Sequence, residues 1–204
     1  MTLSENALYA VSWSEVFPSL EMAEEAIRRI PCEVIPALYP LLLGNLADKA
    51  ILSWSFLIFG FERHWCFADV FTQFCASKEA LVPAGEVTSI QSSFLKAQGS
   101  ADASGILRIA RWASENFDPP SVRRSDEIYL ANWLYVIMDW VFALDRTPDV
   151  HLALADEIAE EFGWPATLAG FSRKDGFPPE DEARRMAAWQ TWLDAERAKW
   201  KPET

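Results

Sequence analysis

The stretch DEIYLANWLYVIMDWVFAL, residues 126–144, decides the reading of this chain. Ile128, Ala131, Tyr135, Met138 and Phe142 recur at intervals of three and four, the spacing that stacks side chains on one face of an α-helix. Leu130, Leu134, Ile137, Val141 and Leu144 widen that stripe almost to a full circle, and a helix apolar all round belongs at the centre of a fold. Ser125 is placed to cap it. A narrow polar strip remains, made of Asn132, Asp139 and Arg146, spaced by seven and so nearly on one face. An unpaired carboxylate among apolar residues costs several kcal/mol, so Asp139 needs a partner. Along the strip the nearest cation is Arg146, about 10 Å further on by helical rise.

Helical signals continue on both sides. Thr147, Pro148 and Asp149 supply a cap hydroxyl, a first-position proline and an early acid, and the helix they start ends near Phe162, with Gly163 free to turn left-handed and Pro165 barring continuation. A last helix, Glu180 to Trp200, opens on acids and closes on Arg197, Lys199 and Lys201, as the helix dipole favours. Met186, Trp189, Leu193 and Trp200 form its apolar edge. Upstream, the spacing predicts helices over Leu20–Ile30, Ile35–Ala47, Lys49–Phe61, Trp65–Ser77, Glu86–Gln98 and Ala101–Asn116, the last two joined by Gly99 and Ser100. The strongest break is Asp118, Pro119, Pro120 and Ser121, because consecutive prolines remove donors and force extended backbone. The charge keeps its sign across that break. The expected fold is therefore all-α, a single domain over residues 1–204 of about eight to ten helices in orthogonal or solenoid-like hairpins; a subdomain break, if there is one, falls near 117–122.

Half of the 204 residues are hydrophobic and 24% are charged, which gives ample core and excludes wholesale disorder. Thirty acids against eighteen Lys and Arg leave a net charge of −12. Such a surplus disfavours a phosphate backbone or an anionic membrane and favours a basic protein partner. The most apolar run, Ala50 to Phe61, is too short for the roughly 20 residues of a membrane helix. Cys32, Cys66 and Cys75 show no CxxC spacing and read as reduced thiols. Met1 to Ala10 has no basic head of a signal peptide, so the expected location is the cytoplasm.

Catalytic and metal chemistry find little footing. His64 and Cys66 are two residues apart, about 200° around a helix, with no oxyanion loop behind them. The two histidines, His64 and His151, are too few and too far apart in sequence for a zinc set. His151 shares a face with Leu154, Ala155, Ile158 and Phe162 and reads as packed. No catalytic residue, metal or cofactor is expected. Ten tryptophans are the oddest count; core packing accounts for them first, an aromatic recognition surface second. Asp156, Glu157, Glu160 and Glu161 form two like-charge pairs at a spacing of four, with no Lys or Arg on their helix to offset them. A solvated face is the simplest account. As a docking face for a basic partner, these four acids would act with Trp164 and Phe177. The alternative is a small-ligand receptor or enzyme with a pocket of Trp133, Asp139, Trp140 and Arg146; a third reading is the structural subunit of a homo-oligomer.

The stretch from about Ile128 to Trp200, in the C-terminal half and little over a third of the chain, resembles an uncharacterised bacterial family classed as a domain of unknown function. The resemblance rests on Trp133, Leu134 and Trp140, then Arg146, Asp149 with Leu152, Phe162 with Pro165, and the terminal Trp189, Trp192 and Leu193. It implies a helical protein without assigned catalytic residues. Small acidic bacterial proteins of this kind are similar to immunity proteins encoded beside secreted toxins. The expected function is accordingly that of a non-catalytic protein-binding module, most concretely an immunity protein neutralising a basic toxin domain.

Overall fold

The structure, a computed structural model, describes residues 52–144, 146–178 and 181–200, without the side chain of Trp200. The helices expected over Leu20–Ile30 and Ile35–Ala47, and Cys32, lie outside those residues. Among the described residues there are seven α-helices and no strand: α1 (Trp54–Glu62), α2 (Asp69–Cys75), α3 (Ala84–Gly99), α4 (Ala103–Phe117), α5 (Asp126–Phe142), α6 (Pro148–Glu161) and α7 (Glu182–Trp200). The fold is all-α, with fewer helices in this span than the eight to ten expected of the whole. No helix among the described residues is long and apolar enough to cross a membrane.

The described residues fall into two compact units, 52–129 and 130–200. The division lies inside α5, not in the proline-rich break at 117–122.

In the first unit, Ser53 caps α1 by accepting the Phe56 N–H at 3.1 Å. Leu52 and Ser53 are not helical, so this helix starts later than its apolar run suggests. Trp54 is the hub of the core: its ring meets the edge of Phe74 at 5.0 Å and stacks with Phe94 at 6.0 Å, and its Nε1 donates to the Ala80 carbonyl at 3.1 Å. The helix expected over Trp65–Ser77 is only Asp69–Cys75. His64 takes a left-handed φ of 62° and the Trp65 N–H bonds back to the Gly60 carbonyl at 2.9 Å, which closes α1 and reverses the chain. Trp65, Cys66, Phe67 and Ala68 then run through the core as buried irregular backbone. Helices α3 and α4 form a hairpin. Its left-handed residue is Ala101, at φ 50°, and Gly99 is still helical. The Asp102 carboxylate caps α4 by accepting the Gly105 N–H at 2.8 Å.

The second unit is organised on α5, as its sequence predicts. Every residue from Asn132 to Asp139 is buried. The apolar circle opens at its start, where Ile128 and Leu130 are 42% and 38% exposed, and partly at its end, where Phe142 and Leu144 are half-buried. Helix α6 begins with Pro148 in its first turn and turns His151, Leu152, Leu154, Ala155, Ile158 and Ala159 inward. It ends where predicted, with Gly163 left-handed at φ 73°; Trp164 follows at φ 56° and returns its N–H to the Ala159 carbonyl. Trp189 of α7 stacks on Phe171 at 5.4 Å and meets the Phe142 edge at 5.1 Å, so it belongs to the core.

Candidate partner-binding groove

Helix α6 carries Asp149, Asp156, Glu157, Glu160 and Glu161 and no Lys or Arg. Its charge is offset from elsewhere in the unit. Arg185 of α7 donates through Nη2 to both Asp156 oxygens, at 2.9 and 2.8 Å, and through Nε to the Phe171 carbonyl at 2.7 Å. The Ser172 hydroxyl donates to the same carboxylate at 2.7 Å. The Arg185 side chain is only 12% exposed. Asp156 is therefore no part of a solvated acidic face. One guanidinium nitrogen bridges both carboxylate oxygens while another holds a carbonyl, and a half-buried acid takes that partner rather than bulk water.

The same arginine builds a recess. Its guanidinium lies 4.7 Å from the Phe177 ring centre, and that of Arg173 lies 4.1 Å from the same ring. Cations over an aromatic face are attracted by its quadrupole, and here they fix the ring as a wall. Asp149, Leu152, Ala153, Asp156, Phe177, Pro178, Glu182 and Arg185 line a groove of about 320 Å³. Arg185 is committed to Asp156, so Asp149 and Glu182 leave the groove electronegative. The Thr147 hydroxyl, with the Val150 N–H, holds the Asp149 carboxyl below its usual range, which keeps it charged.

Of the six residues expected on a docking face, the groove brings together two, Asp156 and Phe177. Glu160 and Glu161 are exposed on α6 outside it, and Glu157 and Trp164 are half-buried. Sequence reasoning missed Asp149 and Glu182 as site residues, because an acid in the first turn of a helix is already accounted for by the dipole.

The alternative cluster takes a different form. Trp133 is completely enclosed and Asp139 is 8% exposed, while Trp140 is half-buried. Asp139 accepts from Arg197 of α7 at 2.9 Å, a cation 58 residues away that helical spacing could not reveal. Arg146 stands beyond the end of α5, so the seven-residue strip does not continue to it as helix. Burial, then the nearby Asp139 charge, pushes the Tyr135 hydroxyl up.

Cys66 is fully buried with its thiol toward the Leu57 carbonyl, and burial pushes its pKa far up. A thiol held protonated away from solvent is no nucleophile. His64 sits in the left-handed turn beside it in sequence. His151 packs between Phe142 and Trp189, each 6.1 Å away, as its helix face predicts. Among the described residues no three His, Cys, Asp or Glu side chains converge as a metal site. Comparisons of the chain with protein-family models, with curated proteins and with solved structures find no match.

Proposed function

We propose that this chain is a non-catalytic protein-binding module acting in the cytoplasm, whose partner is a basic protein, and most concretely an immunity protein that occludes a basic bacterial toxin domain. The observation that carries the reading is the α6–α7 groove. It joins an aromatic wall to the carboxylates of Asp149 on α6 and Glu182 on α7, neither of which forms an ion pair among the described residues, and the exposed side of α6 continues the negative charge through Glu160 and Glu161. A lysine or arginine presented by a partner would find carboxylates at the rim and an apolar floor for its stem. Such contacts steer association and select for sign more than they add affinity.

The test is a charge reversal on the rim. Asp149→Lys with Glu182→Lys, and separately Glu160→Lys with Glu161→Lys, are measured against a basic protein captured by the unaltered chain, over a range of salt. The rim pair should weaken binding about tenfold at low salt and flatten the salt dependence. Unchanged affinity and slope in both double variants would reject the electrostatic reading.

A further inference from the structure

A second recess lies in the first unit, on the outer side of the α3–α4 hairpin. Ser89, Ile90 and Ser93 of α3 face Arg108, Ile109 and Trp112 of α4 across a groove of about 360 Å³. Its origin is steric: two short serines stand opposite a tryptophan and an arginine, so the hairpin leaves a hollow between its helices.

Two features of that hollow are not explained by packing. Helix α4 turns Ile106, Ala110 and Ala113 inward, yet Trp112 lies outside that face and is 44% exposed, with the Phe117 ring edge-on to it at 5.5 Å. Arg108 makes no hydrogen bond or ion pair among the described residues, whereas Arg111, one turn on, is paired with Glu62 at 2.5 Å. Asp102 feels the Arg108 charge, but forms no ion pair with it, and its Oδ1 accepts from the Gly105 N–H and the Ser104 hydroxyl. The lining contains no carboxylate.

We propose that this groove binds a small amphipathic carboxylate. The apolar body lies against Ile90, Ile109 and Trp112, and the carboxylate takes the guanidinium of Arg108. Ser93 already donates to the Ser89 carbonyl within the helix, which leaves the Ser89 hydroxyl as the second donor. One guanidinium and an apolar lining suit a monoanion with a hydrophobic body better than a phosphate dianion, which calls for more cations. The volume is at the small end of ligand pockets, and tryptophan and arginine are both enriched among binding hot spots.

The experiment uses the full chain labelled with 5-fluorotryptophan and read by fluorine NMR, with the Trp112 signal assigned through Trp112→Phe. The probes are 4-phenylbutyrate, 4-phenylbutan-1-ol and 4-phenylbutylamine. The carboxylate should shift the Trp112 signal saturably while the other tryptophan signals stay in place. It should bind about fivefold tighter than the alcohol, the worth of one partly exposed charge contact. Arg108→Gln should remove that preference and leave the signals of the folded chain unchanged. No saturable shift, equal binding of the amine, or an unaltered preference in Arg108→Gln would overturn the proposal. So would binding of a peptide ending in Phe-Glu where free phenylbutyrate does not bind.

Discussion

Asp118 holds the amino end of the helix that begins at Trp54, 64 residues before it. Its carboxylate accepts the Trp54 N–H at 3.0 Å and the Ser55 N–H at 2.8 Å, and the Ser55 and Ser114 hydroxyls donate to it at 2.8 and 3.0 Å. The first N–H groups of a helix have no partner within it, so an anion placed there serves both as acceptor and as the charge the dipole favours.

Removing that anion should be expensive. Asp118→Ala is expected to lower stability by about 2 to 3 kcal/mol, since buried backbone donors lose a charged acceptor; Asp118→Asn should cost less, because it keeps one oxygen. Urea unfolding of the two variants measures the difference. Equal stabilities for Asp118→Ala and the unaltered chain would mean that the cap contributes nothing.

The Asp156–Arg185 pair should show strong coupling. In a double-mutant cycle with Asp156→Asn and Arg185→Met, a coupling of about 1 to 3 kcal/mol is expected. Arg185→Lys should behave nearly as badly as Arg185→Met, because an ammonium cannot serve Asp156 and the Phe171 carbonyl with the same fork. Additive effects would assign Asp156 to the solvated face after all.

Stability should fall on the alkaline side. Burial raises the Cys66 thiol, and burial with Asp139 raises the Tyr135 hydroxyl. A group with a raised folded pKa keeps its proton in the folded state while the unfolded chain releases it. Its contribution is therefore complete below the unfolded pKa and is lost as pH rises toward the folded one. The decline should begin near pH 8.5 for the thiol and near 10 for the phenol. Cys66→Ala and Tyr135→Phe should each flatten their part of the curve, as followed by melting temperature against pH.

Two glycines should respond with opposite sign. Gly163 is left-handed with open space around it, so Gly163→Ala pays only backbone strain, about 1 kcal/mol. Gly99 is helical with nothing near a Cβ, so Gly99→Ala should be neutral or stabilise by up to about 1 kcal/mol. Thermal unfolding distinguishes the two.

What was legible in the sequence is what depends on local periodicity. The burial of α5, the inward face of His151 and the stop at Gly163 all follow from spacing along one helix. What depends on a distant partner was hidden. Asp139 pointed along its own helix to Arg146, yet it receives Arg197 from α7. Asp156 looked like its acidic neighbours because the residues that turn it inward, Ser172 and Arg185, lie on a loop and another helix. The proline-rich segment read as the strongest break in the chain because prolines report backbone form and say nothing of the aspartate before them. In the same way, the helix over Trp65–Ser77 was overextended because apolar spacing is equally well satisfied by a buried irregular strand of chain through the core.

The long reach of Asp118 also orders events during synthesis. At ribosomal rates of 5 to 20 residues per second, the 64 residues between Trp54 and its acceptor take roughly 3 to 13 s to emerge. For that interval the Trp54 and Ser55 N–H groups lack their carboxylate acceptor. The amino end of α1 therefore gains its anion only once translation has carried the chain through Asp118, just before the paired prolines.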